Sequence, residues 1–272
     1  MKINLMDGGM IFEINKKYKD YGQEAIINDK ELIDNLYQSY INLGSKYITT
    51  SNYCFTPNKI MDSIGWEKYT EESIACMKKF RNDGIQIFGS VPPYFRSYNY
   101  GDINQKFCDF YNKLIRIFMN KVDFYLIETA IEFTHINKII EIIRSIDLDT
   151  KIIVSIYPNE SNSKNIDKIL KLEIYGLFIN CCSFDDLKDF YCKNLKGKNF
   201  ENKKFGFQCN KIDEKKYSVN TNIKELQCCY VDKNISKNKL NEFLKSLDFD
   251  EVFIGGCCGY GIKEMKELSK II

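Results

Sequence analysis

The chain has 272 residues, 44% of them hydrophobic, enough for one substantial core and a length suited to a single α/β barrel or two smaller domains. Its 39 basic and 37 acidic residues leave a net charge of +2 with the signs mixed along the chain, which argues against a nucleic-acid-binding surface. No stretch is long and apolar enough to span a bilayer and no signal-peptide pattern opens the chain, so a cytoplasmic location is expected; eleven cysteines there point to metal or thiol chemistry rather than disulfides.

Apolar, β-branched runs recur with charged helical stretches between them. Strands are predicted at Ile3 to Met6, Tyr47 to Thr50, Ile85 to Ser90, Phe124 to Ile127, Ile152 to Ile156, Gly176 to Ile179, Phe205 to Gln208 and Val252 to Ile254. Amphipathic segments fall at Asp29 to Leu43, Glu71 to Asn82, Gln105 to Met119, Ile136 to Ile146, Ser163 to Leu172, Asp185 to Cys192 and Lys237 to Leu247, and a Lys/Glu-rich helical tail ends the chain. Eight strands alternating with helices read as an α/β fold, a single (β/α)8 TIM barrel. No low-complexity linker or compositional shift divides residues 1–272, which are expected to form one domain. The Lys/Asn/Asp-rich connection from Cys209 to Lys239 is read as a lid over the barrel mouth or a surface excursion.

In such a barrel the loops leaving the strand C-termini converge on one mouth. They carry Asp7-Gly8-Gly9, Ser51-Asn52, Ser90 to Tyr94, Glu128-Thr129, Tyr157, Asn180-Cys181 and Gly255-Gly256-Cys257-Cys258. The last of these is an apolar strand that breaks into two glycines and delivers two adjacent thiols, half of a tetrahedral zinc site. Leu177 to Cys182 has the same form, so three or four cysteines stand at two strand ends. Buried small hydrophobes or a vicinal disulfide are the bland alternatives, and a phosphate cradle at the glycines is weaker because no Lys-Ser or Lys-Thr follows them. Glu128 ends a strand that should be buried on both faces and needs a partner. The ammonium of an amino-acid substrate, held by Asp7 and Glu128 together, would supply one. The single histidine, His135, excludes His-rich metal sites and reads as a polar position on a helix. Among Tyr53, Phe55, Trp66, Tyr94, Phe95, Tyr98, Tyr100 and Tyr157 most should pack, with a subset at the mouth able to cage a small cation.

Taken in order, Met6-Asp7-Gly8-Gly9, Thr49-Thr50-Ser51-Asn52, Gly89 to Tyr94, Asp123 to Thr129, Val154-Ser155-Ile156, Ile179-Asn180-Cys181-Cys182 and Gly255-Gly256-Cys257-Cys258-Gly259 resemble the zinc-dependent homocysteine S-methyltransferase family. The resemblance implies a homocysteine-binding barrel, Zn2+ held by Cys181, Cys257 and Cys258 with Cys182 as a neighbour, and substrate bound at Asp7, Asn52, Glu128 and Asn180. It implies methyl transfer to homocysteine from a small cationic donor, S-methylmethionine before betaine, giving methionine. Where the family continues with Thr/Ser, Pro and His after Gly259, this chain has Tyr260-Gly261-Ile262-Lys263; where it often shows Tyr-Pro-Asn at the seventh strand, this chain has Gln208-Cys209-Asn210. Those departures, with the pairs Cys181-Cys182 and Cys228-Cys229, keep open a zinc-binding or thiol-redox protein on the same scaffold. The oligomeric state is left open.

Overall fold

Eight short runs buried on both faces can satisfy their backbone groups only by pairing with one another, and here they pair in parallel throughout. The computed structural model describes residues 1–18, 22–95, 98–211 and 235–272. Its strands are β1 (Lys2–Leu5), β2 (Tyr47–Thr49), β3 (Gln86–Val91), β4 (Phe124–Ala130), β5 (Lys151–Ile156), β6 (Gly176–Asn180), β7 (Lys204–Cys209) and β8 (Glu251–Gly256). They follow one another in sequence order around the sheet, and β1 pairs with β8. The remaining seam, between β1 and β2, is closed by the Met6–Tyr47 bridge and by hydrogen bonds from Lys46 N–H to Leu5 O (3.1 Å) and Asp7 N–H to Tyr47 O (3.0 Å). The result is the (β/α)8 barrel that the alternation of strands and helices predicts.

The lumen is a packed core. Met6, Phe88, Phe124, Leu126, Ile153, Phe178 and Phe253 form one buried cluster, with Tyr47 and Tyr175 against it. Ring centroids lie 4.8 Å apart for Phe88–Phe124 and 5.3 Å apart for Phe178–Phe253. Gly206 makes room for Phe178, since a Cβ there would stand 2.9 Å from three of its ring atoms. At the bottom, the Glu251 carboxylate accepts from Lys2 (2.8 Å), Asn4 (2.7 Å) and Lys204 (2.7 Å). With the floor sealed and the middle filled, the lumen is left open, among the described residues, at its upper end.

The outer layer comprises α1 (Met10–Ile14), α2 (Gln23–Asn28), α3 (Lys30–Asn42), α4 (Trp66–Ala75), α5 (Gln105–Phe118), α6 (Phe133–Ile146), α7 (Glu160–Leu170), α8 (Phe184–Phe190), α9 (Lys237–Lys245) and α10 (Ile262–Ser269). Side-chain caps start several of them: Asp29, Asn104, Asn159, Ser183 and Ser236 each accept from the N–H three residues on. The predicted helix from Glu71 to Asn82 is two elements. It begins earlier, at Trp66, where Gly65 at φ +82° turns the chain. It then gives way to a 3₁₀ turn, Lys78–Asp83, whose start buries Met77 and Phe80, three residues apart as that tighter helix requires. The short α1 and α2 were not anticipated. Among the described residues no helix is long and apolar enough to cross a membrane. Residues 212–234, which include Cys228-Cys229 and most of the connection read as a lid or excursion, lie outside the described residues.

Candidate functional site

The sulfurs come from two strand ends that flank β7. The Cys181 N–H donates to Gln208 O (2.9 Å), continuing the β6–β7 ladder, and Cys257 N–H donates to Cys209 O (2.8 Å), continuing β8 on β7. Cys181 has φ +58°, a left-handed conformation uncommon outside glycine and asparagine. The turn redirects its side chain into the mouth, while Cys182 joins the apolar layer between sheet and helices. On the opposite strand, Gly256 permits the turn that presents the pair, because a Cβ there would stand 2.3 Å from Tyr260 Cβ. Gly9 yields space in the same way to the Cys257 carbonyl, 2.6 Å from where its Cβ would be.

The Sγ atoms of Cys181 and Cys258 are 3.8 Å apart and those of Cys257 and Cys258 4.0 Å, with all three sulfurs within 4.8 Å of one another. A tetrahedral zinc with sulfurs at about 2.3 Å would place them about 3.8 Å apart, close to the 3.8 Å and 4.0 Å spacings here, so this donor set suits such an ion. The three thiols share their protons unequally. Contacts with Cys257 and Cys258, and then the Tyr98 hydroxyl, hold Cys181 well below the usual thiol range against the cost of its burial. Cys257 and Cys258 are pushed up correspondingly.

Two carboxylates face the same mouth. Asp7, following β1, accepts from Thr49 N–H (2.7 Å) and Thr49 Oγ1 (3.0 Å) and is 1% exposed. Burial raises its pKa to about 7, opposed by those hydrogen bonds and by its own backbone N–H. Glu128, on β4, accepts a short hydrogen bond from Ser90 Oγ. Burial lifts it to about 8, and the nearby Asp7 and Cys181 charges add to the rise. Among the described residues neither acid has an ion pair, so the mouth holds two desolvated carboxylates without a cation.

The asparagines divide. Asn52 is fully buried, donates to Ser90 O (3.0 Å) and accepts from Thr50 Oγ1 (2.6 Å), so its amide ties the ends of β2 and β3 together. Asn180 accepts from Thr129 N–H (3.2 Å) through Oδ1, which fixes the amide and leaves the buried Nδ2 without a partner among the described residues. Phe178 lies in the lumen, so the side chains two residues on and across the register, Asn180 and Gln208, face inward too. Gln208 Oε1 and Ser155 Oγ are likewise buried and, among the described residues, unpaired.

Of the aromatic residues, Phe55, Trp66 and Tyr100 are core, and Tyr94 packs on Phe107 and Phe110. Tyr98 and Tyr157 stay half-buried at the mouth with ring centroids 4.7 Å apart. Sequence reasoning placed Tyr98 for its ring and missed its hydroxyl, 2.9 Å from Cys181 Sγ. It also missed Asn210, whose Nδ2 donates to Cys181 O (2.7 Å); only its neighbourhood stood out, as a departure from the family pattern. His135 holds the Gly101 carbonyl (2.8 Å) and is not among the clustered donors. At the start of α10, where a phosphate would need a free N–H, the Glu13 carboxylate accepts from Ile262 N–H (2.8 Å).

A family model described as homocysteine S-methyltransferase matches residues 4–272. Among solved structures, the homocysteine methyltransferase MmuM from Escherichia coli is similar in its metallated form, with 16% identity, TM-score 0.72, and coverage of 99% of this chain and 96% of that one. Its apo form matches with the same identity and TM-score over 100% and 96%. No curated protein matches in sequence.

Proposed function

We infer, from the premise that this chain belongs to the homocysteine S-methyltransferase family, that it methylates homocysteine to methionine with a sulfonium donor of the S-methylmethionine type and zinc held by Cys181, Cys257 and Cys258. The observation that carries the reading is the convergence of these three sulfurs, from two separate strand ends, at tetrahedral spacing. Zinc bound there would keep the acceptor sulfur as thiolate at neutral pH, where a free thiol of pKa near 8.5 is mostly protonated.

The chain's own residues do the rest. Asp7 and Glu128 take the acceptor's ammonium, which supplies the positive charge their burial lacks. Asn52 acts at one remove, by fixing the strand end that carries Ser90 and so Glu128. Asn180 offers its free Nδ2 to the ligand from the floor of the mouth. The Tyr98–Tyr157 pair presents ring faces to the donor's cationic sulfur, each worth about 0.5–2 kcal/mol. As the new carbon–sulfur bond forms on the acceptor, the donor's own bond to the methyl breaks and a neutral thioether leaves, so no general acid is needed.

The test is direct: purified protein, zinc, homocysteine and a panel of sulfonium and quaternary ammonium donors, with methionine measured. C257S should lose both zinc retention and methionine formation; a variant that kept full activity would defeat the reading. A thiol protein without turnover, favoured by the departures at Gln208 and Tyr260, would retain zinc in the wild type and form no methionine with any donor.

A further inference from the structure

Between β3 and α5 the chain is fastened at several points just after the residue that reaches the thiols. The Tyr100 hydroxyl donates to Glu128 O (2.5 Å), anchoring the segment to the end of β4. Gly101 N–H donates to Asn99 Oδ1 (2.8 Å), and the Gly101 carbonyl is held by His135 Nε2 (2.8 Å), whose ring packs on Tyr100 and Phe107. Immediately before these anchors Tyr98 adopts φ +60°, an uncommon conformation for a bulky residue. It directs the ring against Tyr157 and the hydroxyl to Cys181 Sγ at 2.9 Å. The other acceptor in reach, Cys181 O, is 3.5 Å away, long for an O–H···O bond, and already accepts from Asn210. The sulfur is therefore the hydroxyl's partner.

We propose that Tyr98 is a positioning residue for the methyl-transfer centre, its hydroxyl drawing charge from one of the three sulfurs and so setting that ligand apart from Cys257 and Cys258. The inference rests on the reading of Cys181 as a metal ligand. Three thiolates around a divalent ion carry a net negative charge, and a buried site gives that charge little relief from solvent. A donor on one sulfur lowers its electron density and fixes its orientation, the role that hydrogen bonds around a metal site commonly perform. Among the described residues no hydroxyl donates to the other two sulfurs. The asymmetry comes from a segment 83 residues away in sequence from the ligand it serves.

The experiment compares wild type with Y98F, which keeps the ring and its contact with Tyr157 and removes only the hydroxyl. Each metal-free protein is titrated with Co2+, and the thiolate-to-metal charge-transfer absorption is recorded; zinc affinity is measured by competition with a chromophoric chelator. Without the hydrogen bond the Cys181 lone pairs rise in energy, so the band should move to longer wavelength. Affinity should fall roughly tenfold, while the melting curve of the metal-free protein stays unchanged. A wild type with no charge-transfer band would overturn the metal reading and the inference with it. A wild type with the band and a Y98F protein identical in spectrum and affinity would overturn the inference alone, as would a change confined to the melting curve.

Discussion

Replacing Glu128 by Gln asks whether the mouth is shaped to take a cation. In the folded protein burial lifts this acid from 4.5 to about 8, so the native state keeps a proton that the unfolded chain gives up. Between those values the unfolded chain binds fewer protons, and stability falls as pH rises. Climbing from 4.5 to about 8 at about 1.4 kcal/mol per pH unit amounts to at most about 5 kcal/mol, reduced because the side chain keeps some contact with solvent. In E128Q the amide oxygen still accepts from Ser90, and the loss is absent. Urea unfolding of the metal-free protein from pH 5 to 8.5 measures this directly. The two proteins should agree within about 1 kcal/mol at pH 5, and the variant should be the more stable by several kcal/mol at pH 8.5. Homocysteine or methionine should restore wild-type stability at pH 8.5, where its ammonium meets an ionised carboxylate, and help E128Q less. A wild-type curve that is flat over this range, or an E128Q protein less stable than wild type at pH 8.5, would refute the reasoning.

Two further changes probe the scaffold. G206A pushes a methyl to within 2.9 Å of the Phe178 ring in a filled lumen and should cost about 1–3 kcal/mol, seen as a melting temperature lower by roughly 2–4 °C per kcal/mol. E251Q works in the opposite pH direction from E128Q. Lys2 and Lys204 draw Glu251 down to about 2, so its contribution is present above 4.5 and lost as pH falls through about 2. For a carboxylate at the rim, with solvent beside it, about 1 kcal/mol at pH 7 is expected, vanishing near pH 2 in urea unfolding; an equal difference at both pH values would contradict it.

The strands were legible because each is an apolar run buried on both faces, and α3, α5, α6 and α7 because their apolar residues repeat at helical spacing. The five-residue α1 and six-residue α2 are too short to show a period, and α4 starts with Trp66 and Tyr69, residues that read as strand formers. At the site, adjacent cysteines after strands were visible, yet periodicity could not choose between Cys181 and Cys182. Alternation sends the residue after an inward Asn180 outward, and only the left-handed turn at Cys181 reverses this. The family pattern supplied that choice where spacing did not. Asn52 read as a substrate ligand through the family resemblance; nothing local announced that Thr50 and Ser90 would engage both ends of its amide. The Tyr98 hydroxyl was hidden for another reason, since its partner lies on the far side of the ring of strands.

Asp7 does more than face the cavity. Its amide and carboxylate reach across to Tyr47 and Thr49, and its carbonyl accepts Gly256 N–H (3.0 Å), so one residue rivets the ends of β1, β2 and β8 where the hoop is thinnest. A hoop shares any tug on a rivet at its thinnest joint with its whole circumference. Whatever engages this carboxylate therefore also loads the joint, and a chain that remodelled the position to suit another guest would have to refasten the barrel at the same stroke.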